Sequence, residues 1–237
     1  MDLDLGGRGY LLTGASRGLG FAAAQALVAD GARVLVAARS PDGVAADLAD
    51  PDTAEQLVAA ARDRLGRVDG ALISVGGPAP GTVLSTAEED WRAGVDTVLL
   101  GPLRLVRALV PHLGEGAVIG FVLSTSVRQP LDGVAISNGL RPGLSMTAKG
   151  LSDELAPRGI RVVGIMPGTI ATDRIAELEA ASGDPAAFRA RTEASIPLGR
   201  IGRPEEFGRV AAFLLSPAAS YVTGTNVVID GGRLRSP

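Results

Sequence analysis

The sequence predicts an α/β fold in a single domain spanning residues 1–237, with a parallel sheet covered by helices on both faces. Two observations carry this. Six short apolar runs, bounded by glycine or polar residues, alternate with longer Ala- and Leu-rich segments of helical length. No internal repeat, low-complexity linker or break in composition divides the chain.

In chain order, "GYLLTG" reads as a strand buried on both faces, and "GLGFAAAQALVAD" as the helix that follows it. "RVLVAA" is the second strand. Only "SPDGVAA" then separates Arg39 from Asp47, too short for a crossover with its own helix. A third strand here is either vestigial or joined to the sheet without a covering helix. "TAEQLVAAARDRLG", "GALISV", "LLGPLRLVRALVPHL" and "AVIGFVLS" continue the alternation. The next helix is expected over "PGLSMTAKGLSDELAPRG". Pro142 disfavours helical geometry at Arg141 and suits a first turn, so "SNGLRPG" is expected as a loop leading into it. "IRVVGIMPG" is a strand, and "TIATDRIAELEAASGDPAAFRARTEASIPLGRIG" reads as one or two helices over the sheet edge. "RPEEFGRVAAFLLSP" and "TNVVIDGG" close the chain as helix and strand.

Composition narrows the function. Hydrophobic residues make up 46% and charged residues 21%, an ordinary balance for a globule with a substantial core. A formal charge of −3 argues against a general nucleic-acid binder. No run approaches the length of a membrane span, and the first residues lack the pattern of a secretion signal. With no cysteine there is no thiolate chemistry or disulfide framework, which fits a cytoplasmic protein. With one histidine (His112) and no cysteine, a His/Cys metal cluster is excluded and no metal site is expected. Tyr10, Tyr221 and the single lysine, Lys149, are the only candidates for tyrosine or lysine chemistry.

"LLTGASRGLGFAAAQAL" places Gly14, Gly18 and Gly20 between a strand and a helix. Glycines there let the backbone turn tightly against a pyrophosphate, whose charge meets the amides of the helix N-terminus. Preceded by Thr13, this Gly-x-x-x-Gly-x-Gly spacing resembles the short-chain dehydrogenase/reductase family. The resemblance runs on through "DGALISVGG", "MPGTIATD" and "PLGRIGRPEEFGRVAAFLLSPAASYVTGTNVVIDGG", nearly the whole chain. It implies a Rossmann-type, doubly wound sheet of about seven strands with a dinucleotide across its C-terminal edge.

On that resemblance the cofactor lies against Gly14, Ser16, Arg17, Gly18, Leu19 and Gly20, then Asp47 and Leu48 beside the adenine. Val75 and Gly76 lie in the turn after "GALIS", and Pro167, Gly168, Ile170 and Thr172 near the nicotinamide, with Thr169 beside them. The second strand ends in "VAARS", with alanine or Arg39 where a carboxylate would bind a ribose 2′-hydroxyl. Arg39, seconded by Arg17, points to the 2′-phosphate of NADP(H).

The family's chemistry uses a serine, a tyrosine, a lysine four residues beyond it, and an asparagine in an earlier helix. Counting back from "ELAPRGIRV" places the tyrosine position at Ser137 and the lysine position at Arg141; the asparagine position falls on Val98. Ser126 matches the serine best, with Ser124 an alternative. A guanidinium stays protonated and cannot shuttle a proton, and a serine hydroxyl is a weak acid without an activating base. Ser137 and Asn138 read equally well as cap or turn residues. Water, Ser126 or Asn138 remain to stabilise a developing oxyanion. Lys149, eight residues beyond Arg141 and about 12 Å along a helix, reads as structural or as part of an interface.

In the segment after Gly168, Ile175, Leu178 and Phe188 suit an apolar pocket or ordinary core. Arg174, Arg189 and Arg191 are interleaved with Glu177, Glu179 and Glu193, which favours a mixed solvated face over an anion site. The expectation is an NADP(H)-dependent oxidoreductase acting on a small carbonyl or activated double bond, with a degenerate catalytic site built on Ser126, Ser137 and Arg141. The alternative is a catalytically silent NADP-binding sensor or assembly protein. By analogy with the family, a homo-oligomer (dimer or tetramer) is expected, without nucleic acid or membrane as partner.

Overall fold

Each of the six apolar runs forms a strand in the computed structural model, which describes residues 2–39 and 43–236, with only the backbone at Ala181. They are β1 (Gly9–Thr13), β2 (Arg33–Ala38), β4 (Gly70–Ile73), β5 (Val118–Val122), β6 (Arg161–Pro167) and β7 (Thr225–Ile229). Between β2 and β4 lies the third strand, β3, reduced to Val44–Ala45 and paired in parallel with Ala37 and Ala38. It is vestigial, and the five residues 39–43 that join it to β2, of which 40–42 lie outside the described residues, are too few for a crossover helix.

All seven strands are parallel, in the order β3-β2-β1-β4-β5-β6-β7. The chain winds outward from β1 to β3, then returns to place β4 on the other side of β1. This reversal opens a crevice at the C-terminal ends of β1 and β4.

The helices are α1 (Gly18–Ala29), α2 (Thr53–Leu65), α3 (Glu88–Gly94), α4 (Gly101–Leu109), α5 (Ala135–Leu155), α6 (Asp173–Ala181), α7 (Pro185–Ala194) and α8 (Pro204–Leu215), with a π-helical segment, Val95–Leu100, before α4. They bury two separate apolar layers. Leu57, Leu105, Leu109 and Leu144 pack on one face of the sheet with Leu11; Leu27, Phe207, Ala211 and Leu215 pack on the other with Tyr10 and Leu12. Successive residues of β1 thus serve opposite layers, as the two-residue period of a strand requires. Among the described residues no helix is long and apolar enough to cross a membrane.

The expected loop over "SNGLRPG" is corrected: α5 begins at Ala135, seven residues before Pro142, and runs through the proline without a break. Pro142 supplies no amide to the Asn138 carbonyl, a cost that distant contacts offset. Ala135 N–H donates to Gly81 O at 3.0 Å, and the Asn138 side chain both accepts from Leu131 N–H at 3.1 Å and donates to its carbonyl at 2.7 Å. Ser137 and Arg141 are therefore helical residues one turn apart, buried on the same face.

Candidate active site

The glycine turn is held open by the strand on its far side. Thr13 Oγ1 donates to Ser74 O at 2.8 Å and accepts from Ser74 N–H at 3.0 Å, stitching the ends of β1 and β4 at the crevice. Gly14 and Gly18 have φ of +58° and +60°, and a Cβ on Gly14 would stand 2.6 Å from Ser74 O. Only glycine meets both demands at position 14. The amides of Gly18, Leu19 and Gly20 precede the first internal bond of α1, Phe21 N–H to Arg17 O, and so have no partner within the helix.

The other cofactor candidates ring the same crevice unevenly. Arg39 leaves the end of β2 and lies over the turn of Val75 and Gly76: a Cβ on Gly76 would be 3.5 Å from Arg39 Nη2. Arg17, largely exposed beside Ser16, reaches across the crevice to Asp173 Oδ2 and Glu177 Oε1 of α6, at 3.7 Å each. Thr172 immediately precedes α6 without a side-chain cap, its methyl 3.6 Å from where a Cβ on Gly18 would be. Pro167 ends β6, Gly168 N–H bonds Ile229 O at 2.9 Å, and buried Ile170 bridges to Gly202. Thr169 Oγ1 is taken by Arg233 at 2.9 Å. Asp47 is exposed and accepts from Ala49 N–H at 3.0 Å, while Leu48 turns into the core layer beside α4.

Beyond β5 the polar residues converge. Ser126 Oγ and Ser137 Oγ are 3.2 Å apart, both residues are buried, and either hydroxyl can donate. Arg141 Nε–H donates to Ser137 Oγ at 3.2 Å, and Nη1–H donates to Val122 O at 2.8 Å and Leu123 O at 3.3 Å. Ser124 is spent elsewhere, capping the short turn Thr125–Val127 by accepting from Ser126 N–H. Asn138 is committed to Leu131, and Val98 is fully buried in the π-helical segment. Burial pushes the Arg141 guanidinium down to about 10, with the charge of Arg174 as a further cause. Among the described residues no carboxylate pairs with it.

The arrangement forms a hydrogen-bonded chain, Arg141 to Ser137 to Ser126, ending in a hydroxyl pair beside the crevice. Because Ser137 Oγ already accepts from a cation, its own proton is free to be donated. The two tyrosines stand apart. Tyr10 is buried and donates to Leu215 O at 3.0 Å; Tyr221 is fully exposed. Lys149 makes a surface pair with Asp153 at 2.5 Å.

Arg174 departs from the expected mixed face. Arg189 does sit in such a face, 3.5 Å from Glu179 and 3.2 Å from Glu193. Arg174 instead lies on Gly77, where a Cβ would stand 2.6 Å from its Cζ. The one signal for this in the sequence is spacing. Asp173 and Glu177 are four apart and share a helix face, whereas Arg174 is displaced from it by one residue.

A family model described as enoyl-(acyl carrier protein) reductase matches residues 14–233. The chain is 34% identical to 3beta-hydroxysteroid dehydrogenase 1 of Eggerthella lenta, over 99% of this chain and 96% of that protein. Among solved structures it superposes on the L-sorbose reductase of Gluconobacter frateurii, complexed with NADPH and L-sorbose, with a TM-score of 0.94 and 28% identity over the whole of both chains. It also superposes on a short-chain oxidoreductase of Pseudomonas aeruginosa containing an atypical catalytic center, with a TM-score of 0.90 and 26% identity over 99% of this chain and all of the other.

Proposed function

The chain belongs to the short-chain dehydrogenase/reductase family of oxidoreductases, and from that premise we propose that it uses NADP(H) to reduce a small carbonyl or activated double bond through a Ser126–Ser137–Arg141 site. The observation that carries this reading is the hydrogen-bonded chain from Arg141 to Ser126, set beyond β5, two strands from the glycine turn that follows β1. Ser137 and Arg141 stand in it where the family has tyrosine and lysine.

The crevice fits a dinucleotide on its own geometry: a turn that excludes a Cβ at Gly14, three amides facing outward, and two arginines on its rim. Gly14, Ser16, Gly18, Leu19 and Gly20 would hold the pyrophosphate, with Arg39 and Arg17 at the 2′-phosphate. Val75, Gly76, Pro167, Gly168, Ile170 and Thr172 would line the path to the nicotinamide. Asp47 and Leu48 would border the adenine. When bound, the nicotinamide supplies the hydride.

The protein's task is the oxygen on which charge then develops. Ser126 and Ser137 hydroxyls meet that oxygen. Nε–H of Arg141 lowers the cost of negative charge on Ser137 Oγ, so Ser137 passes its proton to the nascent alkoxide and regains one from solvent. Arg141 keeps its own proton throughout and acts by charge and orientation. Leu100 and Met146, exposed on the π-helical segment and α5, support assembly into a homo-oligomer through these helices.

The test is a titration with NADPH and, separately, NADH, following nicotinamide fluorescence, repeated with Arg39→Ala. NADPH is expected to bind more tightly, with its advantage reduced about tenfold by the substitution, the usual weight of one charge-assisted contact. Binding of neither nucleotide would sink the oxidoreductase reading. Binding without turnover across carbonyls, enones and imines would favour a silent NADP-binding sensor or assembly protein.

A further inference from the structure

The first two turns of α6 carry Asp173, Arg174, Glu177 and Glu179. Each carboxylate has a partner outside the helix: Asp173 and Glu177 face Arg17, and Glu179 faces Arg189 of α7. Arg174 has no carboxylate partner among the described residues. It is half-buried, its guanidinium rests on the bare backbone of Gly77, with Cζ and Nε 2.6 and 2.8 Å from where a Cβ would be, and its charge disfavours that of the buried Arg141. Neither guanidinium has a carboxylate partner among the described residues.

Such an arrangement repels itself and is relieved when an anion enters. Arg174 could pair with Glu177 on its own helix, one turn away, yet that carboxylate is turned to Arg17. The phosphates of a dinucleotide already have the amides of Gly18, Leu19 and Gly20, with Arg17 and Arg39 on the rim of the crevice. Arg174 lies instead on Gly77, in the turn after β4, where its charge reaches the buried guanidinium of Arg141.

We propose that Arg174 is the specificity-determining residue of this cleft, and that what it recognises is an acid group, carboxylate or phosphate, carried by the substrate beside its reducible bond. The inference deepens the oxidoreductase reading and rests on it. Gly77 has a part in it: the absence of a side chain lets the guanidinium lie flat on the floor of the cleft, level with an incoming acid group.

The experiment uses the NADPH-saturated protein, titrated with acetoacetate and with its methyl ester. Isothermal titration calorimetry reads occupancy of the cleft without any need for turnover. The acid is expected to bind about tenfold or more tightly than the ester, the weight of one charge-assisted contact. Arg174→Gln should abolish that preference, Arg174→Lys should keep part of it, and the affinity for NADPH should stay unchanged in both. Acid and ester binding alike, or neither binding, would overturn the proposal. So would an Arg174→Gln protein that keeps the preference but loses affinity for NADPH, which would assign Arg174 to the cofactor's phosphates. A wild-type protein that binds no NADPH fails before any acid is added; that outcome sinks the oxidoreductase reading and this inference with it.

Discussion

At Ser137 a hydroxyl accepts from a buried guanidinium and lies within reach of a second hydroxyl. Removing that hydroxyl should lower kcat by about a hundredfold or more, the usual weight of a positioned proton donor, while NADPH affinity is kept. Stopped-flow turnover and fluorescence titration of Ser137→Ala check both halves. Arg141→Met is the sharper variant. Replacing a buried charge by an apolar side chain of similar length is often near neutral for stability, so the fold should survive while turnover falls. If instead the protein unfolds, Arg141 serves chiefly to satisfy the Val122 and Leu123 carbonyls. Tyr10 illustrates a buried polar group with no catalytic task. Burial pushes its phenol up to about 12, and its hydroxyl bonds Leu215 O. Because the folded state prefers the neutral phenol, its contribution is fully present below pH 10 and is lost as pH rises through about 12. Tyr10→Phe should cost about 1 kcal/mol near neutrality and remove that alkaline step in thermal denaturation.

Among the elements, α8 has the most strongly fixed N-terminus. Glu206 accepts from Arg203 N–H at 2.7 Å and pairs with Arg200 through both oxygens, at 2.7 and 2.8 Å. Arg200 and then the Arg203 amide hold its carboxyl down to about 2. A depressed carboxylate contributes stability that is present above its unfolded value, near 4.5, and is lost as pH falls through about 2. Glu206→Gln should therefore have a lower melting temperature than wild type above pH 4.5, and the two curves should converge toward pH 2. The pairs that draw α6 to the glycine turn are of another kind. Arg17, Asp173 and Glu177 are all about two-thirds exposed, so solvent screens them and the helix is held only lightly. A lightly held helix over the crevice suits a cover that must move for a dinucleotide to enter.

For the molecule as a whole, the crevice lies where the sheet reverses its winding, and its walls come from both halves of the chain. The glycine turn and Arg39 belong to the first half; Ser137, Arg141, Thr172 and Arg174 belong to the second. A dinucleotide in the crevice should therefore stabilise the whole domain. At a hundred times its Kd, NADPH should add about 2.7 kcal/mol, seen as a rise in melting temperature. Hydrogen exchange should slow at the N-terminal turn of α1 and in α6, and stay unchanged at the N-terminus of α8. Slowing at α8 alone would place the nucleotide outside the crevice.

Strands, their parallel arrangement and the glycine turn were legible in the sequence because their causes are local. Apolar runs of strand length need no knowledge of distant residues, and neither does a glycine that must adopt a positive φ. The hundred-degree turn of a helix also made Ser137 and Arg141 a pair once both were helical. Whether they were helical was not a local matter: Pro142 argues for a loop, and contacts from Gly81 and Leu131 decide for the helix. The same holds for the charges of α6. Composition reads Arg174 and Arg189 as alike, and only packing turns Glu179 and Glu193 toward one and lays the other on the backbone of Gly77. The sequence by itself determined the architecture and the glycine turn, since backbone stereochemistry and apolar patterning act over a few residues. Tertiary structure decided which polar side chains meet, because hydrogen bonds and ion pairs depend on distances that only the folded chain sets.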